Sequence, residues 1–167
     1  MTHVSWRREV RQGDVEAVQA LCAATGFFTP EEVRIAGELV ADRLNEGAAS
    51  DYHFVLADVE GKLVGYACFG LIAGTDASFD LYWIVVDPSR QGARLGRQVL
   101  THAEQSMRDL GATRYYAETS STERYAPTRA FYHRTGFREV ANIADFYRPG
   151  DGKVIYERLL GLRESTS

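Results

Sequence analysis

The sequence predicts an α+β domain: a mixed, mostly antiparallel sheet flanked by about four helices. Three observations carry this. Apolar periodicity alternates between two-residue and 3.6-residue repeats, giving the element order β-α-α-β-β-β-α-β-α-β-β along the 167 residues. Two strand-like runs, 52–59 and 62–71, are joined only by Glu60-Gly61, a tight hairpin signal. A third run, 80–86, is followed by a turn, a helical pattern and another strand at 113–119, a βαβ unit that supplies one parallel pair.

The elements follow in order. Residues 3–10 alternate weakly around Val4 and Trp6 and read as a first, edge strand. Gly13-Asp14 starts a helix with Val15, Val18, Leu21 and Cys22 on one face, ended by Gly26. Thr29-Pro30-Glu31-Glu32 combines a capping side chain, proline at the first position and acids in the first turn, so a second helix runs to about Gly47. Phe27 and Phe28 lie between these helices, either as a packing staple or at a substrate mouth. After the hairpin and the turn at 74–78, strand 80–86 is apolar, aromatic and β-branched, and Asp87-Pro88-Ser89 breaks it. A helix is expected over 96–110, with Leu95, Val99, Leu100, Ala103 and Met107 as its buried stripe. The loop 120–126 leads to a short helix over 127–135, closed by Gly136. Strands at 137–144 and 153–160 finish the sheet, joined by Arg148-Pro149-Gly150-Asp151-Gly152.

Bulk composition narrows the function. The chain is long enough for one domain with a real core, here residues 1–167 with a polar tail at 162–167. A net charge of -4 points away from nucleic acid and from an anionic membrane surface. No apolar run reaches the length of about 20 residues needed to span a bilayer. Cys22 and Cys68 are far apart and fit no metal spacing, and they suit reduced core positions in a cytoplasmic protein. The four histidines share no metal spacing either, so no metal is expected.

Two segments carry chemistry. Gln91-Gly92-Ala93-Arg94-Leu95-Gly96 leads from a strand into a helix. Such a turn presents backbone N–H groups and the positive end of the helix dipole, which suits a phosphate; an ordinary strand-to-helix turn is the plainer alternative. The second segment, Thr128 to Phe137, is a short helix with an aromatic pair, Phe131-Tyr132, closed by Gly136-Phe137.

Taken together, Val86-Asp87-Pro88-x-x-Gln91-Gly92-x-x-x-Gly96 followed by Ala130-Phe131-Tyr132-x-x-x-Gly136-Phe137 resembles the GNAT superfamily of N-acetyltransferases over nearly the whole chain. The resemblance implies the acyl-CoA N-acyltransferase fold, acetyl-CoA as cosubstrate and an amine acceptor, either a small molecule or a peptide. A non-catalytic acyl-CoA-binding sensor is the alternative. It also implies site roles. Ile84, Val85 and Val86 would offer backbone groups to the pantetheine amides, and a backbone N–H near Val86 would meet the oxyanion. Gln91, Gly92, Ala93, Arg94, Leu95, Gly96 and Arg97 would hold the pyrophosphate. Tyr125 stands where the family often has asparagine, and it and Arg129 join the cofactor-binding set. Arg94 stands where the family loop usually has glycine.

Tyr132 would be the general acid for the departing thiolate, since a phenol of pKa about 10 is protonated near neutrality. Phe131 beside it suits the core-facing role. The base that frees the amine is Asp80, which shares a strand face with Tyr82, Ile84 and Val86, or Glu118 on the next strand, or water. Asp145 or Asp151, on the hairpin that closes over the acceptor site in this fold, would hold a cationic acceptor; ordinary Pro-Gly-Asp-Gly turn chemistry is the alternative. The protein is expected as a monomer or homodimer.

Overall fold

The computed structural model describes residues 3–92 and 94–161. The site position expected at Ala93 and the polar tail at 162–167 lie outside them. The strands are β1 (Val4–Arg7), β2 (His53–Val59), β3 (Lys62–Leu71), β4 (Ser78–Val86), β5 (Arg114–Ser120), β6 (Arg138–Arg148) and β7 (Asp151–Leu159). The helices are α1 (Asp14–Ala24), α2 (Pro30–Glu46), α3 (Leu95–Asp109) and α4 (Ala126–Arg134). The strands hydrogen-bond in the order β1-β2-β3-β4-β5-β7-β6. The β4–β5 pair is parallel, and β1–β2, β2–β3, β5–β7 and β6–β7 are antiparallel. The α+β class and the mostly antiparallel sheet are as expected. The chain forms two compact units, one of residues up to Gly70 with Tyr82–Met107, the other of Leu71–Leu81 with the residues from Arg108 on.

In the first unit the β2–β3 hairpin turns on Glu60 (φ 51°) and Gly61 (φ 77°). Two consecutive positive angles are what a type I′ turn requires, and its twist matches that of the strands. Leu63 to Gly70 are all buried, so β3 is covered on both faces. A core of Val18, Leu21, Cys22, Ala36, Val40, Phe54, Leu56, Leu63, Tyr66, Cys68 and Val85 gathers α1 and α2 on this sheet. Both cysteines are buried free thiols, as composition suggested.

Thr29 and Glu32 form the capping box of α2, through Glu32 N–H to Thr29 Oγ1 at 3.2 Å and Thr29 N–H to Glu32 Oε2 at 2.7 Å. Phe28 and Val33 both pack on the core, and Phe28 meets Trp83 edge-on at 5.0 Å. That arrangement fits the staple reading.

β1 is shorter than expected because Arg7 turns its guanidinium inward, onto Asp58 of β2 and Asp14 of α1. Asp14 does not cap α1. It is buried, with its carboxylate accepting from Arg7 and from the Arg11 N–H.

In the second unit α4 covers one face of β5 and β7, where Tyr132 and Phe137 pack with Tyr156 and Tyr115. The β6–β7 hairpin differs from expectation. The five-residue connector shrinks to Pro149-Gly150, and β6 runs on to Arg148. The surplus chain becomes a bulge: Ile143 pairs with Lys153 and Arg148 with Asp151, so residues 144–147 stand opposite Gly152 alone. Asp145 takes φ 57° there and accepts from the Gly150 N–H at 2.8 Å. A Cβ on Gly152 would come within 2.8 Å of the Ile143 carbonyl oxygen.

Candidate active site

The first unit carries the strand–turn–helix segment. β4 alternates as a strand should: Phe79, Leu81 and Val85 are buried, whereas Asp80, Ile84 and Val86 are half-buried and Tyr82 is exposed. The strand stops where the Asp87 N–H bonds to the Val64 carbonyl at 2.8 Å. The Asp87 carboxylate then accepts from the Ser89 N–H at 2.9 Å and from Ser89 Oγ at 2.8 Å, shaping a single 3-10 turn over Pro88–Arg90. These bonds hold the Asp87 carboxyl below the usual carboxylate range.

Gly92 follows at φ 88° and Arg94 at φ 63°. Arg94 thus keeps the left-handed backbone that a glycine takes without cost, and an arginine there costs about 1–2 kcal/mol. Its carbonyl accepts from the Gln98 N–H at 3.1 Å, so α3 begins immediately after it. Buried Leu95 and Val99 anchor the helix. Gly65 lets α3 approach β3, since a Cβ there would lie 3.3 Å from Val99 Cγ2 and 3.4 Å from the Val85 carbonyl. At a helix start the first backbone N–H groups, here those of Leu95 and Gly96, are the ones the helix itself does not bond. Gln91, Arg94 and Arg97 are exposed. The helix end is therefore a polar, cation-rich surface.

The second unit carries the candidate acid and bases. Tyr132 is the buried residue of α4, while Phe131 is only half-buried. This reverses the expectation that Phe131 faces the core. Tyr132 packs at 5.0 Å from the Phe137 ring and 5.4 Å from Tyr156. Burial, with a smaller effect from Tyr156, pushes its hydroxyl well above the usual phenol range. It stays protonated through the neutral range, and no hydrogen bond from it to protein is recorded among the described residues.

Asp80 and Glu118 lie on the face of the sheet that α4 leaves uncovered. Asp80 pairs with Tyr116, and Glu118 is two residues farther along β5 on the same side. Asp80 is half-buried, and burial and the Glu118 charge raise its carboxyl above the usual range while Lys153 opposes them. Glu118 is more exposed and ion-paired with Lys153 at 2.8 Å. Tyr116 donates to Glu157 at 2.8 Å on the same face.

Two further expected residues have other contacts. Arg129 Nη1 donates to the Ser120 and Thr122 carbonyls at 2.8 and 2.7 Å, clamping the loop before α4. Tyr125 closes the single turn Glu123–Tyr125 and is half-buried. Asp151 accepts from Ser120 Oγ at 2.5 Å and faces Arg148 at 4.0 Å, whereas Asp145 shapes the bulge.

Lys153 escaped the sequence reading. Its signal was its place as the polar residue that opens the apolar run Val154-Ile155-Tyr156. Its register with Ser120, which sets it beside Glu118, comes only from strand pairing.

Comparison with known proteins bears on this arrangement. The model of the acetyltransferase (GNAT) family matches residues 18–137. A crystal structure described as a GNAT-family acetyltransferase from Desulfovibrio desulfuricans is 43% identical, covering 95% of this chain and 100% of that one, with a TM-score of 0.91. A PaiA N-acetyltransferase from Thermoplasma acidophilum, solved in complex with coenzyme A, shares the fold at a TM-score of 0.71 and 17% identity, covering 95% of this chain and 99% of that one. A curated relative, the mycothiol acetyltransferase of Sanguibacter keddieii, is 27% identical over 151 residues, 86% of this chain. The chain spans about half of that relative's length, 47%.

Proposed function

The chain belongs to the GNAT acetyltransferase family, and on that premise we propose that it is an acetyl-CoA-dependent N-acetyltransferase acting on a primary amine of a small molecule or peptide. The observation that carries this reading is the backbone at Gly92 and Arg94. The chain keeps the left-handed turn even where it has replaced the family's glycine with arginine, at a cost that an unused turn would have no reason to bear. The coenzyme A held by a structural neighbour supports the choice of cofactor.

In this reading the turn and the first N–H groups of α3 hold the pyrophosphate, and the arginines around them add charge. The backbone at Ile84, Val85 and Val86 receives the pantetheine amides as an added strand would. Asp80 takes a proton from the acceptor ammonium, directly or through water. Its raised carboxyl brings it closer in proton affinity to the amine than an ordinary aspartate. Glu118 is held by Lys153 and serves less well as the base. The neutral amine attacks the thioester carbonyl, and the oxyanion accepts from a backbone N–H near Val86. The C–S bond then breaks, the thiolate takes the hydroxyl proton of Tyr132, and the proton still on the acylated nitrogen returns to the Tyr132 oxygen through water.

The test is thiol release from acetyl-CoA with a panel of primary amines, for the wild type and Tyr132→Phe. The proposal expects turnover with at least one amine class, lost in Tyr132→Phe while acetyl-CoA binding stays. Binding without turnover on any amine would instead identify an acyl-CoA sensor.

A further inference from the structure

The face of the second unit's sheet opposite α4 has an asymmetric charge arrangement. Asp80 pairs with Tyr116, Glu118 lies two residues on, and Lys153 pairs with Ser120 beyond it, all on one side of the sheet. Lys153 Nζ is 2.8 Å from Glu118 Oε2, and its side chain is 16% exposed, against 45% for Glu118. The same ammonium sits 4.4 Å over the ring of Phe146, which the bulge at 144–147 presents. The Asp80 carboxylate has no hydrogen bond or ion pair among the described residues. Glu118 is therefore neutralised by the chain itself and one aromatic face is already filled by a cation. Asp80 is left beside them as a carboxylate that Lys153 reaches only through its charge. The chain has two lysines, Lys62 and Lys153, against seventeen arginines. A compact ammonium fills this cradle as a point charge, where a guanidinium would fork across it.

We infer that Lys153 is a specificity-determining residue: by occupying Glu118 and Phe146 it leaves the acceptor side room for one ammonium, and so selects monocationic over polycationic amines. This rests on the proposed function, with Asp80 receiving the acceptor's ammonium. The charged and titratable groups facing Asp80 are Glu118 on β5 and Lys153 on β7, with Tyr116 paired to it. Tyr147, from β6, feels both charges. Removing the Lys153 charge unmasks Glu118, gives the face two carboxylates and lifts Asp80 further.

The experiment compares butylamine with butane-1,4-diamine as acceptors by thiol release, in the wild type, Lys153→Met and Lys153→Arg. The wild type is expected to favour the monoamine in kcat/KM. Lys153→Met is expected to shift the diamine-to-monoamine ratio upward about fivefold, the effect of one extra charge pair at the edge of water. Lys153→Arg, which keeps the charge, holds the ratio near wild type. A carbon-detected NMR titration of the Asp80 carboxyl is the companion readout, and its midpoint should rise in Lys153→Met. A ratio unchanged within about twofold and an unmoved midpoint, in a variant with a native amide spectrum, overturn the inference. Absence of transfer to either amine tells against the proposed activity instead. In that event the relative NMR affinities of the two amines decide the charge preference, and identical affinities in wild type and Lys153→Met overturn it.

Discussion

At the scale of single residues, Tyr132 and Arg94 do opposite things with burial. Tyr132 is sunk among aromatic rings, which keeps its hydroxyl protonated and leaves it to donate. Phenylalanine there retains the packing and removes the donor, so Tyr132→Phe should lower kcat by about a hundredfold or more while leaving Tm within a few degrees, measured by thiol release and calorimetry. Arg94 is exposed and strained in its backbone, not its packing. Arg94→Gly should raise unfolding free energy by roughly 0.5–1 kcal/mol, because the relief of left-handed strain exceeds the added entropy of the unfolded glycine. Denaturant titration checks it, and a loss of stability would mean that the guanidinium is held by contacts worth more than the strain.

At the scale of elements, the turns that depend on local chemistry were legible and those that depend on a partner strand were not. Glu60-Gly61, the Thr29-Pro30 helix start and the Asp87-Pro88 stop each follow from side chains within a few residues. The bulge at 144–147 does not, because it exists only through the register of β6 on β7, and no local pattern encodes that register. The order of burial at Phe131 and Tyr132 was misread for a similar reason. Two adjacent aromatics on a nine-residue helix are equivalent in periodicity, and what lies beneath, Tyr156 and Phe137, decides which turns inward. Lys153 was missed because its meaning lies in Glu118 on the paired strand.

Strand β3 offers a test of packing at this scale. A Cβ on Gly70 would lie 2.2 Å from the Asp51 carbonyl oxygen, which is backbone and cannot step aside. Gly70→Ala should therefore cost about 1–3 kcal/mol by denaturant titration, more than an alanine placed at an open glycine such as Gly74 would if strain were the only term.

At the scale of the whole molecule, the fold depends on charge as well as on its apolar core. Arg7 joins β1, α1 and β2 through Asp58 and Asp14, whose side chains are 7% and 6% exposed. Burial alone would raise the Asp14 carboxyl, but its bonds to Arg7 and to the Arg11 N–H hold it below its ordinary value of 3.8. A depressed carboxyl stabilises the fold above its unfolded pKa, and that contribution is lost as pH falls through the lower folded value. Stability should fall as pH drops below about 4, more steeply in the wild type than in Asp14→Asn, by thermal unfolding across pH. Arg7→Met should cost about 3–5 kcal/mol at neutral pH, because it takes the shared guanidinium from two buried carboxylates, with Asp58 still paired to the exposed Arg11.

Family membership was readable from two motifs and their spacing, and the fold class from the order of the elements, whereas the place of β7 between β5 and β6 comes only from strand pairing. Asp80, Glu118 and Lys153 meet only in the folded sheet, so their grouping was not legible. Acetyl-CoA binding at the turn around Gly92 and Arg94 is the central proposal, and calorimetric titration of the full chain with acetyl-CoA tests it most directly. The predicted result is one-to-one binding at tens of micromolar or tighter, about -6 kcal/mol or better. No heat of binding at ligand concentrations up to about a millimolar would contradict it.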